Sequence, residues 1–137
     1  MISGEPVGQK TPAGKNFVAG YVLTALAALF LTFDWTIKLL ALPIAIQANA
    51  QLGYRAETVV WIGVIELVCL GLYLLPPTSV LGAVLMTGYL GGATASHMRV
   101  GDPLFSHTLF PTYIALVLWG GVYLREPRLR ALLPFRR

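Results

Sequence analysis

The stretch that decides the fold is WIGVIELVCLGLYLLPP, residues 61–77, which is apolar almost throughout but carries one carboxylate, Glu66. An α-helix needs roughly 17–25 predominantly apolar residues to cross the hydrocarbon core of a bilayer. A charged side chain at that depth is costly unless it is paired, protonated or hydrated. The run therefore predicts a membrane-spanning helix, and Glu66 predicts a small polar site inside it.

The composition of the 137-residue chain also indicates a membrane protein. Hydrophobic residues make up 56 % of the chain and charged residues 12 %, and the mean hydropathy is +0.70. A soluble domain carries about 25 % charged residues, and the length suits one domain. The only cysteine, Cys69, lies inside the apolar run, so this chain alone forms neither a disulfide nor a dithiol redox centre.

Four apolar segments predict an all-α fold, a membrane four-helix bundle that forms a single domain over residues 1–137. The predicted helices cover about residues 17–42, 58–75, 79–97 and 108–125. Residues 76–79 predict a tight turn in which Ser79 caps the next helix. The segment 41–57 predicts a broken or interfacial connection, because Pro43 interrupts it and Gly53 offers a turn.

Basic residues are concentrated at the two ends of the chain. Seven of the ten Lys and Arg residues lie there: Lys10, Lys15, Arg125, Arg128, Arg130, Arg136 and Arg137. With an even number of spans, the positive-inside rule predicts that both termini are cytoplasmic. We therefore expect a multi-pass protein of the bacterial cytoplasmic (inner) membrane. The basic flanks suit lipid head groups, and nucleic acid is not an expected partner, because no basic domain remains outside the apolar segments.

Polar residues from three predicted helices are expected to meet near the outer face. Asp34 and Lys38 share a helix face at spacing i, i+4, Glu66 lies in the second helix, and His97 and Asp102 follow at the end of the third. Two plainer interpretations stay open. The Lys38–Glu66 pair could serve only to hold the helices in register, and His97 with Asp102 could be a solvated helix end. No metal site is expected, because no second histidine has ligand spacing.

Small residues predict close packing of helices. Gly63 lies three residues before Glu66 and is expected to let a backbone or a ligand approach. Gly88, Gly92 and Ser96 recur at i, i+4 and i+8, which predicts packing inside the bundle, with a homodimer seam as the less favoured use. No catalytic residue is assigned, because the hydrolase, metalloprotease, phosphate-loop and dinucleotide motifs are absent from the sequence.

Three segments of the chain carry a family resemblance. They are ALFLTFDWTIKLL (28–40), LGYRAETVVWIGVIELVCLGLYLLPP (52–77) and LGGATASHMRVGDP (90–103). Together they resemble the DoxX-like family of small four-helix integral membrane proteins. The resemblance covers roughly residues 25–105 and includes Lys38, Gly63, Glu66, Ala93, His97, Gly101 and Asp102. Asp34 is a departure, because the family more often has a small or neutral residue there.

The resemblance implies a link to sulfur and quinone redox chemistry. Our leading hypothesis is a redox-associated membrane subunit that contacts quinone, with Lys38 holding a carbonyl or anionic oxygen and Glu66 or His97 relaying a proton. A partner protein or bound cofactor would then carry the electrons. Two alternatives stay open, as does the question of enzyme activity. One is a scaffold or assembly factor that binds partner helices, and the other is a binder or carrier of a small hydrophobic ligand.

Overall fold

The computed structural model describes residues 13–133, so the basic residues predicted for the flanks at Lys10, Arg136 and Arg137 lie outside the described residues. The described chain is helical and contains no strand, which confirms the all-α prediction. Its α-helices are α1 (Ala13–Leu39), α2 (Pro43–Gln51), α3 (Ala56–Leu74), α4 (Ser79–Arg99), α5 (Phe110–Arg125) and α6 (Pro127–Leu132).

Within residues 13–133, three helical segments are long and apolar enough to cross a membrane: Gly14–Leu39, Ala56–Leu74 and Leu104–Arg125. The last segment joins α5 to the π-helical turn Leu104–Thr108 that precedes it. Large apolar side chains such as Leu29 and Trp61 are exposed on these helices. In water such faces would favour aggregation, whereas in a bilayer they contact lipid tails. The chain is therefore a multi-pass integral membrane protein, as predicted.

The four long helices pack in a closed ring, because α1 contacts α3 and α5, and α4 contacts the same two helices. Fully buried side chains fill its centre: Leu31, Leu70, Tyr73, Met86, Leu118 and Val122. Tyr73 satisfies its hydroxyl by donating to the backbone oxygen of Leu118 at 2.8 Å. This part of the ring is solidly packed, and polar side chains gather towards the other end of the helices.

Glycines set how closely neighbouring helices approach. A Cβ built at Gly82 would lie 2.1 Å from the backbone nitrogen of Tyr73, so α3 and α4 cross there in direct backbone contact. At Gly63 a Cβ would lie 2.8 Å from Cβ of Lys38, where α1 meets α3. At Gly88 and Gly92 a Cβ would have no neighbour within 4 Å. The prediction of close packing inside the bundle is therefore wrong at Gly88 and Gly92.

The connection between α1 and α3 is a bent helical segment. Helix α1 ends at Leu39, three residues before the predicted limit, and Ala41 turns the chain with a φ of 50°. Pro43 then begins α2, because its missing N–H and its restricted φ suit the first position of a helix. Gly53, with a φ of 87°, provides the turn that leads into α3.

The turn between α3 and α4 is a single 3₁₀ turn, Pro76–Thr78. Ser79 is the first residue of α4 and not its cap, so the capping prediction is wrong. The two hydroxyls of this turn bond backwards to the end of α3. Thr78 donates to the backbone oxygen of Leu72 at 2.8 Å, and Ser79 donates to that of Leu75 at 3.0 Å. They thus satisfy terminal carbonyls that have no partner within α3.

Candidate functional site

A buried ion cluster joins α1, α3 and α4. Nζ of Lys38 donates to Oδ2 of Asp34 at 2.7 Å, to Oε2 of Glu66 at 2.9 Å and to the hydroxyl of Tyr89 at 2.7 Å. Glu66 is completely buried, and Lys38 is buried along its stem. Because Gly63 has no side chain, the stem of Lys38 can pass closely over α3 to reach Glu66. The cluster therefore depends on the helix contact at Gly63.

Tyr89 is the member of the cluster that the sequence interpretation missed. Its hydroxyl donates to Oε2 of Glu66 at 2.8 Å while accepting from Lys38. A signal was present in the sequence. Glu66 lies eight residues before the end of α3, and Tyr89 lies ten residues after the start of α4. Because a tight turn joins these two helices antiparallel to each other, similar spacing from the turn places the two residues at nearly the same level.

A second polar group lies where α4 ends. Nδ1 of His97 is 2.6 Å from Oδ2 of Asp102. Between these two residues the chain reverses at Gly101, which has a φ of 75°. The backbone N–H of Asp102 donates to the backbone oxygen of His97. The ring of His107 lies 6.3 Å from that of His97, measured between centroids. Local turn geometry therefore forms the His97–Asp102 pair.

Both polar groups border one cavity of about 680 Å³. Its walls come from α1, α2, α3, α4 and the start of α5, and most of them are apolar, including Phe30, Leu31, Ile62, Ile65, Leu90, Phe110 and Ile114. Polar residues on its surface include Asp34, Lys38, Tyr89, His97 and Asp102. The volume lies within the range of about 300–1,000 Å³ that is typical of small-molecule sites. The arrangement can hold a ligand that has an apolar body and a polar head.

The predicted site residues thus border one cavity at two levels, with Glu66 set behind its wall. Tyr89 and His97 are eight residues apart on α4, or about 12 Å along the helix axis. Within residues 13–133, no hydrogen bond connects the His97–Asp102 pair with the Lys38 cluster. The sequence predicts one meeting point for these residues, whereas the structure places them at two levels along the helices.

The predicted small-residue stripe on α4 also belongs to this cavity. Gly88, Gly92 and Ser96 all line it. Oγ of Ser96 lies 2.6 Å from the hydroxyl of Tyr54, in the segment between α2 and α3. The two glycines enlarge the cavity by lacking side chains, whereas Ser96 connects α4 to the segment that borders the cavity on another side.

Comparison with known proteins identifies the family. No curated protein and no solved structure matches this chain. A family model described as the DoxX-like family matches residues 22–121, which include every member of the Lys38 cluster and the His97–Asp102 pair. The match covers well over half of the chain and agrees with the resemblance seen in the sequence. The chain therefore belongs to the DoxX-like family.

Proposed function

We propose that this protein binds a small, mostly apolar ligand with a polar head group inside the membrane, and that the ligand is of the quinone class. The observation that carries the proposal is the cavity of about 680 Å³, which has apolar walls and polar residues at two levels. Ligand sites characteristically combine such walls with a few polar groups that orient the ligand. A purely structural ion pair would not need an adjacent cavity of this size.

A quinone-type ligand suits both the cavity and the family. Its ring and tail would pack against apolar side chains such as Phe30 and Ile65, and its oxygen atoms would lie near the polar groups. In the role that we propose, the protein is a membrane subunit associated with a redox partner. Electrons would come from a partner protein or a bound cofactor, because the single cysteine, Cys69, cannot form a dithiol centre by itself.

We also propose that α4 crosses the membrane, which makes four crossings, with both termini in the cytoplasm and the polar site near the outer face of the bacterial inner membrane. Helix α4 has 21 residues, or about 31 Å, which is enough to span the hydrocarbon core. It packs against α3 and α5, which are both apolar enough to span. Seven of the ten Lys and Arg residues then lie on the cytoplasmic side.

The scaffold alternative ranks second. It requires the small-residue stripe on α4 to meet a helix of a partner protein, or of a second copy in a homo-oligomer. In the structure Gly88 and Gly92 line the cavity, where a ligand could contact them. The same observation supports ligand binding and weakens the argument for a packing seam.

Two leucine substitutions on α4 test the proposal. Gly92→Leu places a side chain in the cavity, and Gly91→Leu is the matched control, since Gly91 is not among the lining residues and a Cβ there also has no neighbour within 4 Å. Each protein is purified gently, and its lipid extract is analysed by mass spectrometry. We expect one quinone-type molecule to be enriched over bulk membrane in wild type and Gly91→Leu but not in Gly92→Leu.

Three other results of the extract analysis would each count against ligand binding in this cavity. Absence of any enriched small molecule from the wild-type extract would contradict ligand binding. Equal enrichment in both leucine variants would place the ligand outside this cavity. A protein partner that is lost only in Gly92→Leu, without any small molecule, would favour the scaffold role.

A further inference from the structure

We infer that the polar part of the cavity accepts hydrogen bonds from its ligand, so that the site selects a head group carrying hydroxyl donors, with His97 as the principal acceptor. This inference rests on the proposed binding function and specifies the chemistry of the ligand. It follows from a count of which polar atoms on the cavity surface already have partners.

The donors of the Lys38 cluster are fully used. A lysine ammonium group has three N–H bonds, and those of Lys38 are directed at Asp34, Glu66 and Tyr89. The single O–H of Tyr89 is directed at Glu66. Neither Lys38 nor Tyr89 therefore has a hydrogen left for a ligand carbonyl. This finding replaces the sequence-based hypothesis that Lys38 holds a carbonyl or anionic oxygen.

The hydroxyls at the Ser96 level are used as well. Oγ of Ser96 donates to the backbone oxygen of Gly92 at 2.9 Å. The hydroxyl of Tyr54, 2.6 Å from Oγ of Ser96, must then be the donor in that contact. On α2, the side-chain amide of Asn49 donates one of its N–H groups to the backbone oxygen of Ala45. The hydroxyl and ammonium donors that line the cavity on α1, α4 and the segment before α3 are thus already committed within the protein.

Acceptors, by contrast, are available. An ionised carboxylate only accepts hydrogen bonds, so the proton between Asp102 and His97 belongs to Nδ1 of His97. In the neutral imidazole, Nε2 is then left as an acceptor. Asp34 offers a second acceptor, because in the described part of the chain its hydrogen bond to Lys38 uses Oδ2 and not Oδ1. Both residues line the cavity.

The balance of donors and acceptors discriminates between ligands of the same shape. A hydroxyl can donate to Nε2 of His97 or to Asp34, whereas a carbonyl or ether oxygen placed beside these two residues faces acceptors and stays unsatisfied there. Burying an unsatisfied polar group is costly. The reduced, hydroxyl-bearing form of a quinone-type ligand therefore binds more tightly than the oxidised form, and a phenol binds more tightly than its methyl ether.

A pair of stable probes tests this inference without redox chemistry. Equilibrium binding of 4-heptylphenol and of its methyl ether, 4-heptylanisole, is measured on the full-length protein in lipid nanodiscs, with empty nanodiscs to subtract partitioning into lipid. For wild type we expect the phenol to bind about threefold to tenfold more tightly, which corresponds to one hydrogen bond.

Substitutions assign the acceptor. His97→Phe should bring the ratio of the two affinities close to one while both probes still bind, because the ring volume remains and the acceptor is lost. His107→Phe is the matched control, since His107 also lines the cavity but bonds to Ser106 and not to a carboxylate. It should keep the wild-type ratio.

Asp102→Asn tests the positioning role of Asp102. An amide can present its oxygen or its NH₂ to Nδ1, so the tautomer of His97 is no longer fixed and the affinity ratio should fall. A merely structural role would weaken both probes equally and leave the ratio unchanged, which would contradict the positioning role.

The remaining outcomes separate this inference from the function on which it rests. Equal affinity of wild type for the two probes would overturn the inference while leaving ligand binding intact. If neither probe binds above the empty nanodiscs, both the inference and the proposed function fail. Loss of the ratio in His107→Phe but not in His97→Phe would overturn the assignment to His97.

Discussion

At the scale of single residues, Lys38 is the side chain on which the polar interior depends. It is the cation that compensates Asp34 and Glu66, and Glu66 is completely buried. Removing one partner of a buried ion pair is costly because the other charge stays behind without compensation. Here two carboxylates would stay behind, so the effect of removing the lysine should be large.

Lys38→Met is predicted to lower the free energy of unfolding by about 3–5 kcal/mol. Thermal or denaturant unfolding of the purified protein in detergent measures the change. Arg55→Met is the control, because the Arg55–Glu57 pair is 82 % and 75 % exposed at its side chains, and such pairs contribute little. A Lys38→Met protein as stable as Arg55→Met would contradict the importance of the ion cluster.

At the scale of secondary-structure elements, glycines on one helix have two different roles. Gly82 lies at the crossing of α4 with α3, where backbone meets backbone. Gly88 lies six residues further along α4 and borders the cavity. Spacing along the helix does not distinguish them, because their roles depend on how α4 is rotated against its neighbours.

Substitution of alanine for Gly82 and for Gly88 should therefore change the stability of the protein in opposite directions. Gly82→Ala is predicted to lower stability by about 1–3 kcal/mol, because the new methyl group clashes with the backbone of Tyr73. Gly88→Ala meets no atom within 4 Å, and it should raise stability by about 0.5–1 kcal/mol, because alanine favours a helix. Unfolding of both variants under the same conditions checks this, and equal effects would show that α3 and α4 do not cross at Gly82.

At the scale of the whole molecule, the proposed membrane topology depends on whether α4 crosses the bilayer. If α4 crosses the membrane, then the turn Pro76–Thr78 and the segment Leu104–Thr108 lie on opposite sides. If it does not cross, they lie on the same side. The single cysteine makes this question accessible to labelling, since Cys69 is buried and can be replaced by serine.

In a Cys69→Ser background, Ser106→Cys should react with a membrane-impermeant maleimide applied to intact spheroplasts. Pro77→Cys should react only after the membrane is permeabilised, because we expect the turn Pro76–Thr78 to face the cytoplasm. Ser106 and Pro77 are both exposed in the structure. A difference in their labelling therefore reports only the side of the membrane on which each residue lies. Reaction of both cysteines in intact spheroplasts would contradict a crossing by α4.

The sequence by itself determined the membrane class, the all-α fold and the family. These conclusions rest on local properties: apolar runs such as residues 61–77, the scarcity of charge, and short motifs in a fixed order. The sequence also indicated that Lys38 would pair with Glu66, and the two side chains lie 2.9 Å apart. A buried carboxylate needs a cation, and the chain offers few at that depth.

The tertiary structure alone decided which faces of the helices meet. It placed Tyr89 in the ion cluster, turned Gly88 and Gly92 towards a cavity, and separated His97 from Tyr89 by about 12 Å along α4. It also showed that the donors of Lys38 are already used. The physical reason is that hydropathy and helix period are local, whereas the rotation of each helix about its axis depends on packing against residues far away in the chain.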